Sequence, residues 1–422
     1  MTHILVSLLG ARLSEADYVF QDEAGDPVKT RYCALALFDH FKKLAAQPDR
    51  LVVLGTPGSC WDVLVEVLHE RFGEPGGEKP QTTELEKSIE TRDNKPEHPL
   101  TQEALDHWED WVNENAAPPG TRIEFKLVGY ASTPQDQRTF IQTIREFVVG
   151  ADRLTFDLTH SLRHLATLAL LAAMIIRKRD EIATSIHYGA FEISEQNNGL
   201  SPVIRLDGLL DMLDFLAALS AYDKDGDYAV FAPLFEAQGE TDFALRLREA
   251  SFREYAGNFE KAVKILRELR APSAMLGGEW QLIGDELDER FSWVENPDLY
   301  TRQRSRALKA LEQGDLLRAT VWGTEAVITR VMVKLGKDPT DRKKRGQLGG
   351  GGCTWDNLFR AAHFSDDEYK TFERLNRMRH QFAHAALARP DEGAEKAMAT
   401  RQDCVDALKT AFDTLLPEPP AS

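Results

Sequence analysis

Residues 152–164 read DRLTFDLTHSLRH, and their reading decides the fold of the first half of the chain. A short apolar stretch, DRLTFDLTH (152–160), runs into small polar residues, and a helical apolar pattern takes over from about 161 to 179. Strand, tight turn and helix in that order are the repeating junction of a parallel sheet. The turn then lies at the carboxyl end of the strand, where open α/β sheets collect ligands.

The same junction recurs on both sides of this segment. HILVSLLG (3–10) is a compact apolar strand ending in glycine, and TRYCALALFDHFKKLAA (30–46) has helical apolar spacing. DRLVVLGTPGS (49–59) is a second buried strand running into a turn, followed by the helix CWDVLVEVLHERF (60–72). RIEFKLVGY (122–130), a helix at 135–149, and the strands ATSIHYGAFEI (183–193) and PVIRLDG (202–208) complete the pattern. Short, almost purely apolar strands alternating with helices predict a parallel sheet covered on both faces. Residues 73–121 interrupt it with a polar, Pro- and Gly-rich stretch and one acidic helix, read as a surface insertion. Beyond 206 the strand signals fade, and the remaining segments have helical period. The expected organisation is an α/β domain, Rossmann-like with a parallel sheet, over 1–206 and an all-α domain over 207–422. YAGNFEKAVKIL resembles one joint of a helical repeat, but no second copy follows at a fixed period.

Composition narrows the classes. The 422 residues carry a net charge of −17, which disfavours nonspecific nucleic-acid binding and confines any nucleic-acid site to a local basic patch. The four cysteines (Cys33, Cys60, Cys353 and Cys404) lie far apart with no ligand spacing, as expected of reduced thiols rather than a zinc site or a disulfide framework. No basic flank precedes the short apolar run at the N-terminus. The longest apolar stretch, LATLALLAAMII (165–176), is too short to span a bilayer and is followed at once by RKRDE. A cytoplasmic protein without membrane contact is the expectation.

The turns after the strands supply a candidate site. Gly10, Gly55 and Gly58 let backbone amides approach a ligand, and Thr56, Ser59, Thr159, His160 and Ser161 offer hydroxyl and imidazole groups. Arg163 opens a helix, where amides and the helix dipole already favour anions. The competing reading is that these are ordinary turn and capping residues, since Ser, Thr and Asp are preferred there. Neither GxGxxG nor GxxxxGK[ST] occurs, so the dinucleotide and P-loop fingerprints are missing.

A second candidate lies in RLNRMRHQFAHA (374–385). On a helix, His380 and His384 share a face with Arg377, while Arg379 sits about 140° around from His384. Leu375, Met378, Phe382 and Ala386 form the apolar side. Histidine moves protons near neutral pH and arginine holds phosphate without losing its charge, a pairing suited to metal-independent RNA cleavage. A solvated or salt-bridged helix face is the plainer alternative.

FDLTHSLRHLA (156–166) closely resembles the D-x-T-H-G-x-R segment of CARF domains, the sensory domains of CRISPR-associated type III systems, with Ser161 in place of the usual glycine. ILVSLLGARL, Tyr18, TRYCALAL and VVLGTPGSCW are similar to that family in order and spacing. The segment from Arg379 through His384 resembles the RxxxxH signature of HEPN ribonucleases, with His380 where Asn is commoner. Together they resemble the CARF–HEPN ancillary ribonucleases of type III CRISPR antiviral defence. The resemblance implies an endoribonuclease that cuts single-stranded RNA and is activated by a cyclic oligoadenylate, with the tetramer, cyclic tetra-adenylate, as the expected ring. It implies a homodimer with composite catalytic sites, and no metal or other cofactor. Arg379, His380 and His384 would be catalytic. Gly10, Thr56, Gly58, Ser59, Asp157, Thr159, His160, Ser161 and Arg163 would line the ligand site. Two other functions stand beside this one: a noncatalytic cyclic-nucleotide-sensing regulator, and a ring nuclease that degrades its own activator with help from His160, Arg163 or His164. The basic, Gly-rich segment at 342–352, with Lys343, Lys344 and Arg345, reads either as an RNA-guiding loop or as a flexible connection kept soluble by charge.

Overall fold

The structure, a computed structural model, describes residues 2–20, 26–75, 78–91, 95–96, 98–273, 281–341, 345, 354–384 and 392–418. It divides into two compact units, Met1–Leu213 and Asp214–Ser422. The division falls inside one helix, α7 (Asp207–Asp225), and so beyond the boundary expected at 206. An unbroken helix has no linker composition to betray where one core stops.

The first unit is built on an eight-stranded sheet. Its strands are β1 (His3–Leu9), β2 (Ala16–Phe20), β3 (Val28–Thr30), β4 (Arg50–Gly55), β5 (Arg122–Leu127), β6 (Arg153–Asp157), β7 (Ala183–Gly189) and β8 (Ser201–Arg205), in the order β3-β2-β8-β7-β6-β1-β4-β5. All pairings are parallel except β2 with β3 and β7 with β8. Strands β2 and β3 escaped the sequence reading because they are short and neither is a clean apolar run. The chain builds β1, β4 and β5 outward, then returns to β6 on the other side of β1. The topological switch therefore lies between β1 and β6, in register Ser7↔Asp157.

Helices cover both faces, as the apolar strands require. One core gathers α1 (Cys33–Lys43) and α2 (Trp61–Phe72) on the sheet, with Leu35, Phe41, Trp61 and Leu64 buried. The other gathers α5 (Pro134–Phe147) and α6 (Arg163–Arg179), with Phe140, Ile144, Leu165 and Ala169 buried. Helix α5 starts at a capping box, Thr133 with Asp136, and has Pro134 at its first position.

The insertion at 73–121 is only partly superficial. Past the short α3 (Thr83–Ser88), helix α4 (Gln102–Asn115) buries Leu105 and Val112 in the first core. Its polar side chains also close the open edge of β5. Gln102 Oε1 accepts from the Leu127 N–H (2.8 Å), Glu109 Oε2 from the Phe125 N–H (2.8 Å) and Asn113 Oδ1 from the Ile123 N–H (2.9 Å). Asn113 and Gln102 amides also donate to the Ile123 and Phe125 carbonyls. An edge strand that would otherwise offer unpaired amides is thus covered by side chains. This corrects the reading of a surface insertion, which was drawn from polarity alone.

All regular structure described in the second unit is helical: α8 (Ala232–Ala237), α9 (Thr241–Tyr255), α10 (Phe259–Ser273), α11 (Gln281–Phe291), α12 (Leu299–Gln313), α13 (Leu316–Lys334), α14 (Trp355–Ala361), α15 (Asp366–His384), α16 (Glu392–Ala397) and α17 (Arg401–Leu415). A buried ion pair, Arg306 Nε to Glu254 Oε1 at 2.5 Å, joins α12 to α9. The Arg306 guanidinium also lies against the rings of Trp293 and Trp322. Gly323 gives α13 its close contact with α17, because a Cβ there would stand 2.3 Å from Phe412 Cε1.

His187 on β7 is 4% exposed, its Nδ1 has no hydrogen-bond partner among the described residues, and desolvation pushes its pKa down to about 4. The unfolded chain takes up this proton near 6.5 while the folded chain refuses it, so the contribution to stability is complete above 6.5 and drains away as pH falls toward 4. The loss should be on the order of 3 kcal/mol. Urea unfolding at pH 7 and at pH 4 should show that a His187→Gln variant has a shallower pH dependence than the parent protein.

Candidate functional site

The turns at the switch point are held by one carboxylate. Asp157, fully buried at the end of β6, accepts from Ser7 Oγ on β1 (2.8 Å), from the Thr159 N–H (3.0 Å) and from Thr159 Oγ1 (2.5 Å). Thr159 Oγ1 in turn accepts from the Gly189 N–H at the end of β7 (2.8 Å). Gly189 is needed here, since a Cβ would lie 2.6 Å from Tyr18 Cε1 and 2.9 Å from Cys33 Sγ. Asp157 and Thr159 are therefore the frame of the turn, and their polar atoms point into it.

His160 closes another frame. Its Nε2 accepts from the N–H of Cys33, the first residue of α1 (3.2 Å), and the Tyr18 hydroxyl lies 3.4 Å away. The N-cap of α1, Tyr32, has no side-chain capping bond, so His160 satisfies an orphan amide from outside the helix. Desolvation lowers the His160 pKa, opposed by the Asp157 charge, and so favours the neutral imidazole that this acceptor role requires.

The β4 turn is stapled to the end of β1. Ser59 Oγ accepts from the Thr56 N–H (2.8 Å) and donates to the Leu9 carbonyl (2.6 Å), while the Cys60 N–H donates to the Gly10 carbonyl (2.9 Å). Ser59 and Thr56 are 1% and 4% exposed. A Cβ on Gly10 would meet the His160 carbonyl carbon at 3.4 Å and the Ser161 nitrogen at 3.7 Å, so the ends of β1 and β6 are in van der Waals contact.

The structure thus brings together Gly10, Thr56, Gly58, Ser59, Asp157, Thr159, His160, Ser161 and Arg163, but in two roles. Asp157, Thr56 and Ser59 are enclosed and shape the turns. Gly10, Gly58, Thr159, His160 and Ser161 are half-buried, and Arg163 is exposed in the first turn of α6 with no ion-pair partner among the described residues. Gly55 lies under the Trp61 ring, where a Cβ would come within 2.5 Å of it, and serves packing alone.

Other groups also meet at these turns: His164, already named beside His160 and Arg163 in the sequence, and three that were not anticipated, Tyr130, Glu90 and Tyr188. His164 Nε2 bonds the Tyr130 carbonyl (2.7 Å), tying the first turn of α6 to the segment after β5. The Tyr130 hydroxyl donates to Glu90 (2.9 Å), and both crowd Gly58, where a Cβ would stand 2.9 Å from the Glu90 carbonyl and from Tyr130 Oη. Desolvation and the Glu90 carboxylate raise the Tyr130 pKa. Tyr188 donates to Glu192 (2.7 Å) and titrates near 12, mainly through desolvation, with Arg163 close enough to oppose the rise. No spacing in the sequence marks Tyr130, Glu90 or Tyr188, because they reach the site from separate connections.

The second candidate is helix α15. Phe372, Leu375 and Met378 form its buried side, and Ser365 with Glu368 makes a capping box at its start. Arg379 is half-buried and its Nη2 lies 3.3 Å from Glu325 Oε1 on α13. The other Glu325 oxygen accepts from Arg345 Nη2 (2.6 Å), and Arg345 Nη1 donates to Thr329 Oγ1 (2.9 Å). Of the basic segment 342–352 only Arg345 is described, and it is anchored on α13. Lys343, Lys344 and the glycines lie outside the described residues, as do Ala386 and the side chain of His384, the last residue of α15. His380 is exposed and Arg377 pairs loosely with Glu373 (3.7 Å).

Among the described residues no group of three or more His, Cys, Asp or Glu side chains is placed to hold a metal ion, and no helix is long and apolar enough to cross a membrane. In comparisons with known proteins, no family model matches the chain and no curated protein matches it.

Replacing Asp157 by alanine strips the acceptor from three donors in a dry site. It should destabilise the protein by roughly 3 kcal/mol, against roughly 1 kcal/mol for Ser7→Ala. Urea unfolding of the two variants should show that order.

Proposed function

We propose that the protein is a cyclic oligoadenylate-activated endoribonuclease that cuts single-stranded RNA without a metal, acting as a homodimer in antiviral defence of the type III CRISPR kind. The observation that carries the reading is Arg163, without an ion-pair partner among the described residues, at the opening of α6 beside the touching ends of β1 and β6. At that point the sheet's topology reverses, and Gly10 at the end of β1 and Ser161 at the end of β6 are half-buried rather than enclosed. Such a place suits a phosphate-bearing ligand, and the DLTHSLR and RMRHQFAH motifs supply the identity of ligand and reaction. Two copies of the site facing each other match the symmetry of a ring of adenylates.

The reaction needs little from the protein beyond charge and proton transfer. The ribose 2′-oxygen bonds to the adjacent phosphorus as the bond to the 5′-oxygen breaks. The 2′-hydroxyl proton passes to a base and a proton is delivered to the leaving 5′-oxygen. His384 is assigned to orient or deprotonate the 2′-hydroxyl, Arg379 to stabilise the charge growing on the phosphate oxygens, and His380 to support them. Arg379 comes to this task already paired with Glu325, so a phosphate competes with a carboxylate for the guanidinium.

A fluorescent single-stranded RNA, incubated with the purified protein with and without cyclic tetra-adenylate, tests the reading. Cleavage that depends on the ring is expected. Silence with the tetramer and every other ring size would reject the nuclease and leave the sensing regulator; loss of the ring itself would point to a ring nuclease. Arg379→Ala should cut the activated rate by about a hundredfold or more. Arg379→Lys should not restore it, since an ammonium cannot make the planar, two-point phosphate contact.

A further inference from the structure

Away from the strand-end turns, the end of α2, the connection that follows it and the second half of α4 line an open cavity of about 570 Å³ in the first unit. His69, Trp108 and Trp111 contribute aromatic surface to its lining, and Trp111 lies 5.8 Å from the His69 ring and 5.9 Å from Trp108. Both tryptophans are half-buried against the core, and neither indole N–H has a hydrogen-bond partner among the described residues. The remaining lining includes Glu74, Glu78 and Glu114, all exposed, and Lys79. None of the three carboxylates has an ion-pair partner among the described residues. The chain can turn over His69 because residue 73 is glycine: a Cβ there would stand 2.7 Å from the imidazole Cδ2.

Aromatic rings and unpaired carboxylates in the lining of one cavity favour one chemistry. Ring faces attract a cation whose flanking methylenes also bury apolar surface, and carboxylates accept from its N–H groups. Three separate carboxylates against one lysine call for a ligand with more than one positive charge, spaced along a chain. A bare metal ion would use the carboxylates but not the rings.

We propose that this cavity binds a linear organic polycation of the polyamine class, with an alkyl-ammonium segment on Trp108 and Trp111 and its outer ammonium groups at Glu74, Glu78 and Glu114. The site is independent of the ribonuclease reading and requires neither RNA nor cyclic oligoadenylate.

Spermidine titrated calorimetrically into the full-length protein at fixed ionic strength tests it. One saturable site is expected, weakened about tenfold by Trp111→Leu. The double variant Glu78→Gln/Glu114→Gln, changed only at exposed positions, should weaken it at least as much while leaving the circular dichroism and melting curve unaltered. This variant keeps the test decisive if Trp111→Leu disturbs packing. Absence of a saturable phase would overturn the proposal. So would binding that the double variant leaves intact and magnesium chloride displaces at equal charge, which is the behaviour of counter-ions around an acidic protein.

Discussion

The buried carboxylate of Asp157 is the constraint on which the first unit depends. Taken out of water, a carboxylate must be met by donors, and here every donor comes from a piece of structure that needs placing. Ser7 draws in β1, the Thr159 amide and hydroxyl fix the turn, and Thr159 passes the connection to Gly189 and β7. Three neighbouring strands thus end at one level, and the turn beyond them has a single shape. His160 then extends the network to the first amide of α1. A ligand at these turns would meet a surface whose hydrogen bonds are already made, so binding costs little reorganisation.

The same economy of polar groups appears at the far edge of the sheet. Strand β5 has no strand beyond it, and α4 answers its exposed amides and carbonyls with Gln102, Glu109 and Asn113. Those three residues look like ordinary surface chemistry on an acidic helix. Their positions give them another use: spaced along one side of the helix, they reach successive backbone groups of a strand. In the second unit the comparable element is α13, where Gly323 admits Phe412 and Glu325 receives both Arg345 and Arg379. Helix α13 thus packs against α12, α15 and α17 and holds two arginines.

Much of this was legible in the residues. The α/β half, the turn after β6, the helical second half and the burial of Leu375 and Met378 on α15 follow from periodicity, because strands and helices bury side chains at fixed intervals, whereas Phe382 is only half-buried. What was not legible were the relations between distant segments: Tyr130 bonded to Glu90, His164 to the Tyr130 carbonyl, and the cavity formed by His69 with Trp108 and Trp111.

The sequence by itself therefore determined most of the elements and their order, though not the short strands β2 and β3, and many of the chemistry-bearing residues at their ends. It did so because propensity, capping and apolar spacing act over a few residues. Tertiary structure alone decided which of those residues are frame and which are free. Asp157, Thr56 and Ser59 face inward with their polar atoms spent, whereas Arg163 stands exposed and unpaired among the described residues. Burial and hydrogen-bond pairing are properties of neighbours brought together across the chain, and no local pattern encodes them.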